Sequence, residues 1–176
     1  MTVKAIDIRS NVCYYDINQK VIKELMILTH SASAVAKWFL TYNKMISLAS
    51  GDENISNMKL QKLLYYAQGT FLGICGEPIF SESIEAWKHG PVVPDVYREY
   101  SSFGGNGIEF DGEFDVGEFD HNENTILKEV YEEFGQYSAW KLSEMTHQEN
   151  PWKDTAQGSV IAPEKIKSYF EEHYVE

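Results

Sequence analysis

Three short stretches and one acidic loop hold the residue types that could do chemistry. The first is residues 56–69, where Lys59, Lys62 and Tyr66 fall on one side of a helical repeat. In an otherwise acidic chain, two lysines beside a tyrosine could dock a carboxylate-bearing partner. The plainer reading is a solvated helix face with the lysine stems laid along it. The second stretch is Trp87-Lys88-His89-Gly90-Pro91. A histidine beside a glycine turn could serve as a general base or a metal ligand. No second His or Cys lies at local ligand spacing, and a turn histidine bonded to a backbone carbonyl is the plainer account. The third is Thr146-His147-Gln148-Glu149-Asn150-Pro151-Trp152. His147 with Glu149 invites a metalloenzyme reading, yet His-Glu-x-x-His is absent and the two residues are too close to share a helix face. A structural account is simpler: Thr146 and Asn150 bond local backbone before Pro151, and Trp152 buries as an anchor.

The fourth is the Gly-rich stretch 104–120, which repeats Glu-Phe-Asp at 109–111, 113–115 and 118–120. It lacks the carboxylate spacing of a calcium-binding EF-hand loop. A solvated loop is the first reading, and a patch for a basic surface the second. Nucleophile-elbow, Walker A and dinucleotide fingerprints are all missing, which weighs against an enzyme.

Helices must position these residues. Val35, Trp38, Phe39, Tyr42, Ile46 and Ala49 form an apolar stripe that predicts a helix over 33–50. Leu60, Leu63, Leu64, Ala67 and Phe71 predict a second, capped by Ser56 or Asn57 and broken at Gly76 and Pro78. The short link between them predicts an antiparallel pair. Gly90 and Pro91 fix a turn that brings the Trp87 segment against the second helix. Ile79-Phe80 and Ile84-Glu85-Ala86-Trp87 could pair as strands. Pro94 opens a short helix reaching Phe103. Over 108–116 apolar or Gly positions alternate with carboxylates, so period two predicts a hairpin or an extended flap. Helices follow over 124–134 and 138–145, then a loop from Asn150-Pro151 to the Gly158 region, then a last helix opened by Pro163. Upstream, Val3, Ile6 and Ile8 hint at one strand, Val12, Tyr14 and Tyr15 at another, and residues 19–28 at a helix.

The 176 residues are enough for one domain, and 43% apolar content with 11 Tyr, 9 Phe and 4 Trp supplies a packed core. A net charge of -12 disfavours binding to phosphate backbones. Cys13 and Cys75, without a Cys-x-x-Cys, read as two reduced thiols. No signal layout opens the chain, and no stretch approaches the roughly 20 apolar residues of a membrane span, so a cytoplasmic location is expected.

The wording of the three stretches carries a resemblance. The Lys-Leu-Gln-Lys-Leu-Leu-Tyr-Tyr run, the Glu-Ala-Trp-Lys-His-Gly-Pro-Val-Val-Pro run and the Leu-Ser-Glu-Met-Thr-His-Gln-Glu-Asn-Pro-Trp run, in that order, resemble the Panacea domain of SocA-like antitoxins. The matching positions are Lys59, Leu60, Lys62, Leu63, Tyr65, Tyr66, Trp87, Gly90, Pro91, Val93, Tyr97, His147, Pro151 and Trp152, most of them expected to hold the fold. The resemblance implies an antitoxin that neutralises a protein toxin, often encoded alongside, by direct binding. It also implies a possible second role, handing the toxin to a ClpXP-type protease. Partner contact is assigned to Lys59, Lys62, Tyr66, Lys88 and His89, with no catalytic residue, metal, cofactor, membrane or direct nucleic-acid contact. The expected architecture is mainly α (α+β), a single compact multi-helix domain over 33–176 with a small antiparallel β element, preceded by an extension over 1–32. Two alternatives stand beside it: a metal-dependent hydrolase built on His89, His147 and Glu149, and an acidic phage protein that mimics DNA.

Overall fold

The structure, a computed structural model, describes residues 29–50, 53–112 and 114–175. The strands and helix expected upstream of Thr29, and Cys13, lie outside the described residues. Among the described residues seven α-helices and one hairpin follow in order: α1 (Ala32–Ser50), α2 (Asn57–Cys75), β1 (Glu85–Trp87), β2 (Gly90–Val92), α3 (Pro94–Glu99), α4 (His121–Phe134), α5 (Ala139–Gln148), α6 (Asn150–Lys153) and α7 (Pro163–His173). The fold is mainly α with a two-stranded antiparallel sheet, as expected. Among the described residues no helix is long and apolar enough to cross a membrane.

Local chemistry sets the helix starts. The Ser56 hydroxyl accepts from the Lys59 amide at the head of α2, and Asp120 and Glu123 form a reciprocal capping box on α4. Ser138 caps α5 in the same way. The helix α2 runs through the middle of the molecule, with α7, α4, α5, α1 and β2 packed around it. Leu60, Leu63, Leu64, Tyr65, Tyr66 and Ala67 are all fully buried. Each such large apolar side chain contributes about 1.5–3 kcal/mol by leaving water. Gly69 lets α7 approach closely, because a Cβ there would lie 2.3 Å from the Phe170 ring. Tyr66 stacks on Phe134 of α4 with ring centres 3.7 Å apart.

Four local expectations change. Ile79-Phe80 does not pair with the Trp87 segment. Phe80 instead bridges His30, and β1 pairs with β2 in the register Glu85–Val92, Ala86–Pro91, Trp87–Gly90. The other edge of β1 is covered by 158–161, where Ala86 N donates to Ser159 O and Ile161 N to Ile84 O. The helix opened by Pro94 stops at Glu99 and continues as a 3-10 turn over Ser101–Phe103. Residues 108–116 form no strand among the described residues. Ile108 and Phe119 are buried, and Phe110 and Phe114 pack partly against the core, so the alternation anchors a coil from one side. Asn150-Pro151 opens the short helix α6 rather than a loop, with Pro151 buried in its first turn.

Candidate functional site

The three sequence motifs meet at one place, the β1–β2 hairpin. Its turn residues are Lys88 and His89, and Gly90 completes the reversal at φ +105°, a conformation that favours glycine. Almost every side of this turn is held by another element. From α2, the Lys62 ammonium donates to the Pro91 carbonyl at 2.9 Å. One residue back, Gln61 Oε1 accepts from Val93 N at 2.9 Å, while its amide donates to Asn57, which in turn donates to the Tyr97 carbonyl. From α5, the Ser143 hydroxyl donates to the His89 carbonyl at 2.9 Å. From α6, Trp152 Nε1 donates to the Trp87 carbonyl at 2.9 Å, and the Trp152 ring stacks on His147 at 4.0 Å. A Cβ at Gly90 would sit 2.7 Å from both Lys62 Cε and Thr146 Oγ1, so glycine is also required by space. The first and third motifs are thus the two jaws of a clamp, and the second is what they hold.

The clamp decides where each expected contact residue lies. Lys88 and His89 are exposed at the tip. Lys62 is only 1% exposed and Tyr66 fully buried. Lys59 is half-buried, its ammonium donating to the Gly135 carbonyl after α4. The side of α2 read from the sequence as a contact face is therefore interior, because α2 is covered all round and not along one stripe. Leu60, Leu63, Tyr65, Pro91, Val93 and Pro151 are buried, Trp87, His147 and Trp152 are half-buried, and Tyr97 is partly exposed.

Burial without a countercharge pushes the Lys62 ammonium down from 10.5 to about 7. His147 is also pushed down, chiefly by burial and then by the nearby Lys62 and His89, against a hydrogen bond to the Lys88 backbone.

A second polar centre, unseen in the sequence, lies deeper. Glu149 is 2% exposed, and its two carboxylate oxygens accept from the hydroxyls of Tyr65 (2.7 Å), Tyr66 (2.8 Å) and Tyr174 (2.8 Å). Desolvation raises its pKa while these three donors hold it down. The arrangement ties the α5–α6 junction to α2 and to the end of α7. The Glu149 oxygens are thus engaged by tyrosine hydroxyls and not by His147 or His89. Among the described residues no group of three His, Cys, Asp or Glu could hold a metal ion.

Comparison with known proteins fits this geometry. The family described as "Antitoxin SocA-like, Panacea domain" matches residues 60–153, just over half of the chain and the whole of the clamp from Leu60 to Trp152. The Antitoxin SocA of Caulobacter vibrioides (strain NA1000 / CB15N) is 54% identical over 56 residues, which is 32% of this chain and 30% of that protein. The aligned stretch thus spans less than a third of that relative's length. No solved structure matches. The chain belongs to the SocA-like antitoxin family with a Panacea domain.

Proposed function

We propose that this chain is the antitoxin of a toxin–antitoxin pair and neutralises a protein toxin by direct binding, with the turn at Lys88 and His89 as the contact. Membership of an antitoxin family favours a binding protein over an enzyme. The single observation that carries the reading is the clamp: three separate elements fix the turn's backbone and leave its two side chains outside. Recognition surfaces gain affinity when they are rigid before the partner arrives, because less ordering entropy is lost on binding. The buried neighbours Lys62 and Tyr66 act in this scheme as supports.

The test is co-expression with the product of the neighbouring gene. Growth inhibition by that product, relieved by this chain and no longer relieved by Lys88→Glu with unchanged expression and unfolding midpoint, is the expected result. A harmless neighbour, or full rescue by the variant, would sink the proposal. Toxin abundance in the same cells separates the two modes of action. Simple blocking leaves it unchanged, and delivery to a ClpXP-type protease lowers it.

A further inference from the structure

Upstream of Thr29 the sequence carries an apolar stripe. Val21, Ile22, Leu25 and Met26 recur at helical spacing, and Lys23 borders them one turn before Met26. Helices shorter than about 12–15 residues do not hold themselves together in water, so a stripe of this length needs an apolar surface to pack on.

The described chain begins at the edge of such a surface. His30 N donates to the Ile79 carbonyl at 3.1 Å, and His30 bridges Phe80 in parallel. The parallel sense directs the preceding chain back along Pro78. Pro78 and Phe80 both line a groove of about 440 Å³, between residues 78–84 and 160–167 and over Leu72 of α2. That volume lies in the range in which proteins bury ligands. Leu72, Ile84 and Ile166 form its apolar floor, and Val160, 52% exposed, stands at its rim.

The polar groups of the groove call for a donor. Glu82 lines it, and its Oε1 accepts from the Ala32 amide at 2.9 Å. Glu82 Oε2 is shielded from water and has no donor among the described residues. A shielded acceptor left unbonded is costly. The other charged groups of the lining are Glu164 and Lys167, so the groove carries one net negative charge. Residues 19–28 hold Lys20, Lys23 and Glu24, one net positive charge.

We propose that residues 19–28 of this chain dock in the groove, with Val21, Ile22 and Leu25 over its apolar floor and the Lys23 ammonium donating to Glu82. The segment is joined to the groove's own wall at His30, so docking closes only a short loop and loses little chain entropy. The opposite charges add to the fit, and the buried apolar area supplies most of the affinity.

The experiment measures amide hydrogen exchange over 19–28 in the full chain, against a free peptide of the same sequence. The expected result is exchange at least tenfold slower in the chain than in the peptide. Leu25→Asp, Lys23→Glu and Val160→Asn should each speed exchange over 19–28 and lower the urea midpoint. Val160 is half exposed, so its change alone leaves the core intact. Leu25→Asp and Val160→Asn act on one contact, so the double variant should lose no more than the larger single effect. Peptide-like exchange in the unaltered chain overturns the proposal. Protection that Val160→Asn leaves unchanged, with additive midpoint losses, overturns it by placing the segment elsewhere. Protection that rises with protein concentration overturns it by making a second copy the occupant.

Discussion

Replacing Lys62 by Met should make the protein more stable near neutral pH and its turn less well held. The amine titrates at about 7 in the fold against 10.5 for an ordinary lysine. Between these limits the unfolded chain binds the extra proton, so stability rises with pH from about 7 to 10.5 and the full cost persists below about 7. At about 1.4 kcal/mol per pH unit that cost is at most about 5 kcal/mol. Against it stands the hydrogen bond to Pro91, about 1.5–3 kcal/mol for a charged donor. Met keeps most of the buried stem and removes both terms. Urea midpoints of Lys62→Met should therefore show a gain of about 2 kcal/mol near pH 6, shrinking with pH and turning into a loss of about 1 kcal/mol near pH 10. The amide hydrogens of the turn should exchange faster in the variant throughout, since the Pro91 carbonyl has lost its support. Parallel pH profiles for the two proteins would refute the reasoning, because they would mean that the amine carries no folding-linked titration.

Other changes test the remaining contacts. Gly90→Ala places a methyl 2.7 Å from Lys62 Cε and Thr146 Oγ1 at φ +105°, and should cost about 2–3 kcal/mol in denaturant unfolding. Glu149→Ala leaves three buried tyrosine hydroxyls without their acceptor, and should cost about 3–5 kcal/mol in denaturant unfolding. Because the folded Glu149 carboxyl is held above 4.5, the folded state takes up its proton first. Its contribution to stability therefore falls as pH rises from 4.5 through the folded value, and Glu149→Gln should flatten that part of the profile. Trp152→Phe keeps a ring on His147 and removes the indole bond to the Trp87 carbonyl, for about 0.5–1.5 kcal/mol by the same measurement.

Helix positions were legible in the sequence because periodicity reports them directly. The stripe beginning at Val35 gives α1, the Leu60 series gives α2, and Ser56 stands at the α2 cap. Burial was not legible to the same degree. A stripe shows which side is apolar but not whether the opposite side is also covered, and in α2 both Lys62 and Tyr66 are covered. The density of Leu, Tyr and Ala over 60–67 was the available signal. In the acidic stretch the alternation of Phe with Glu and Asp matched a strand, yet a coil can satisfy the same pattern by pinning alternate rings on a core. Glu149 was singled out only beside His147; its tyrosine partners could not be found from local spacing, since they lie 84, 83 and 25 residues away. The Lys88 and His89 tip was legible, because a Gly-Pro after two polar residues marks a turn wherever it falls.

The clamp grips the turn through main-chain atoms: the carbonyls of Trp87, His89 and Pro91, the amide of Val93 and, from His147, the Lys88 backbone. Nothing in these bonds depends on which side chains stand at 88 and 89. Both positions keep ordinary negative φ, so any residue but proline can occupy them at little cost to folding. The scaffold thus lets the exposed tip vary independently of heritable stability. Drift at two adjacent codons can change the surface that the turn presents while the jaws that hold it stay as they are.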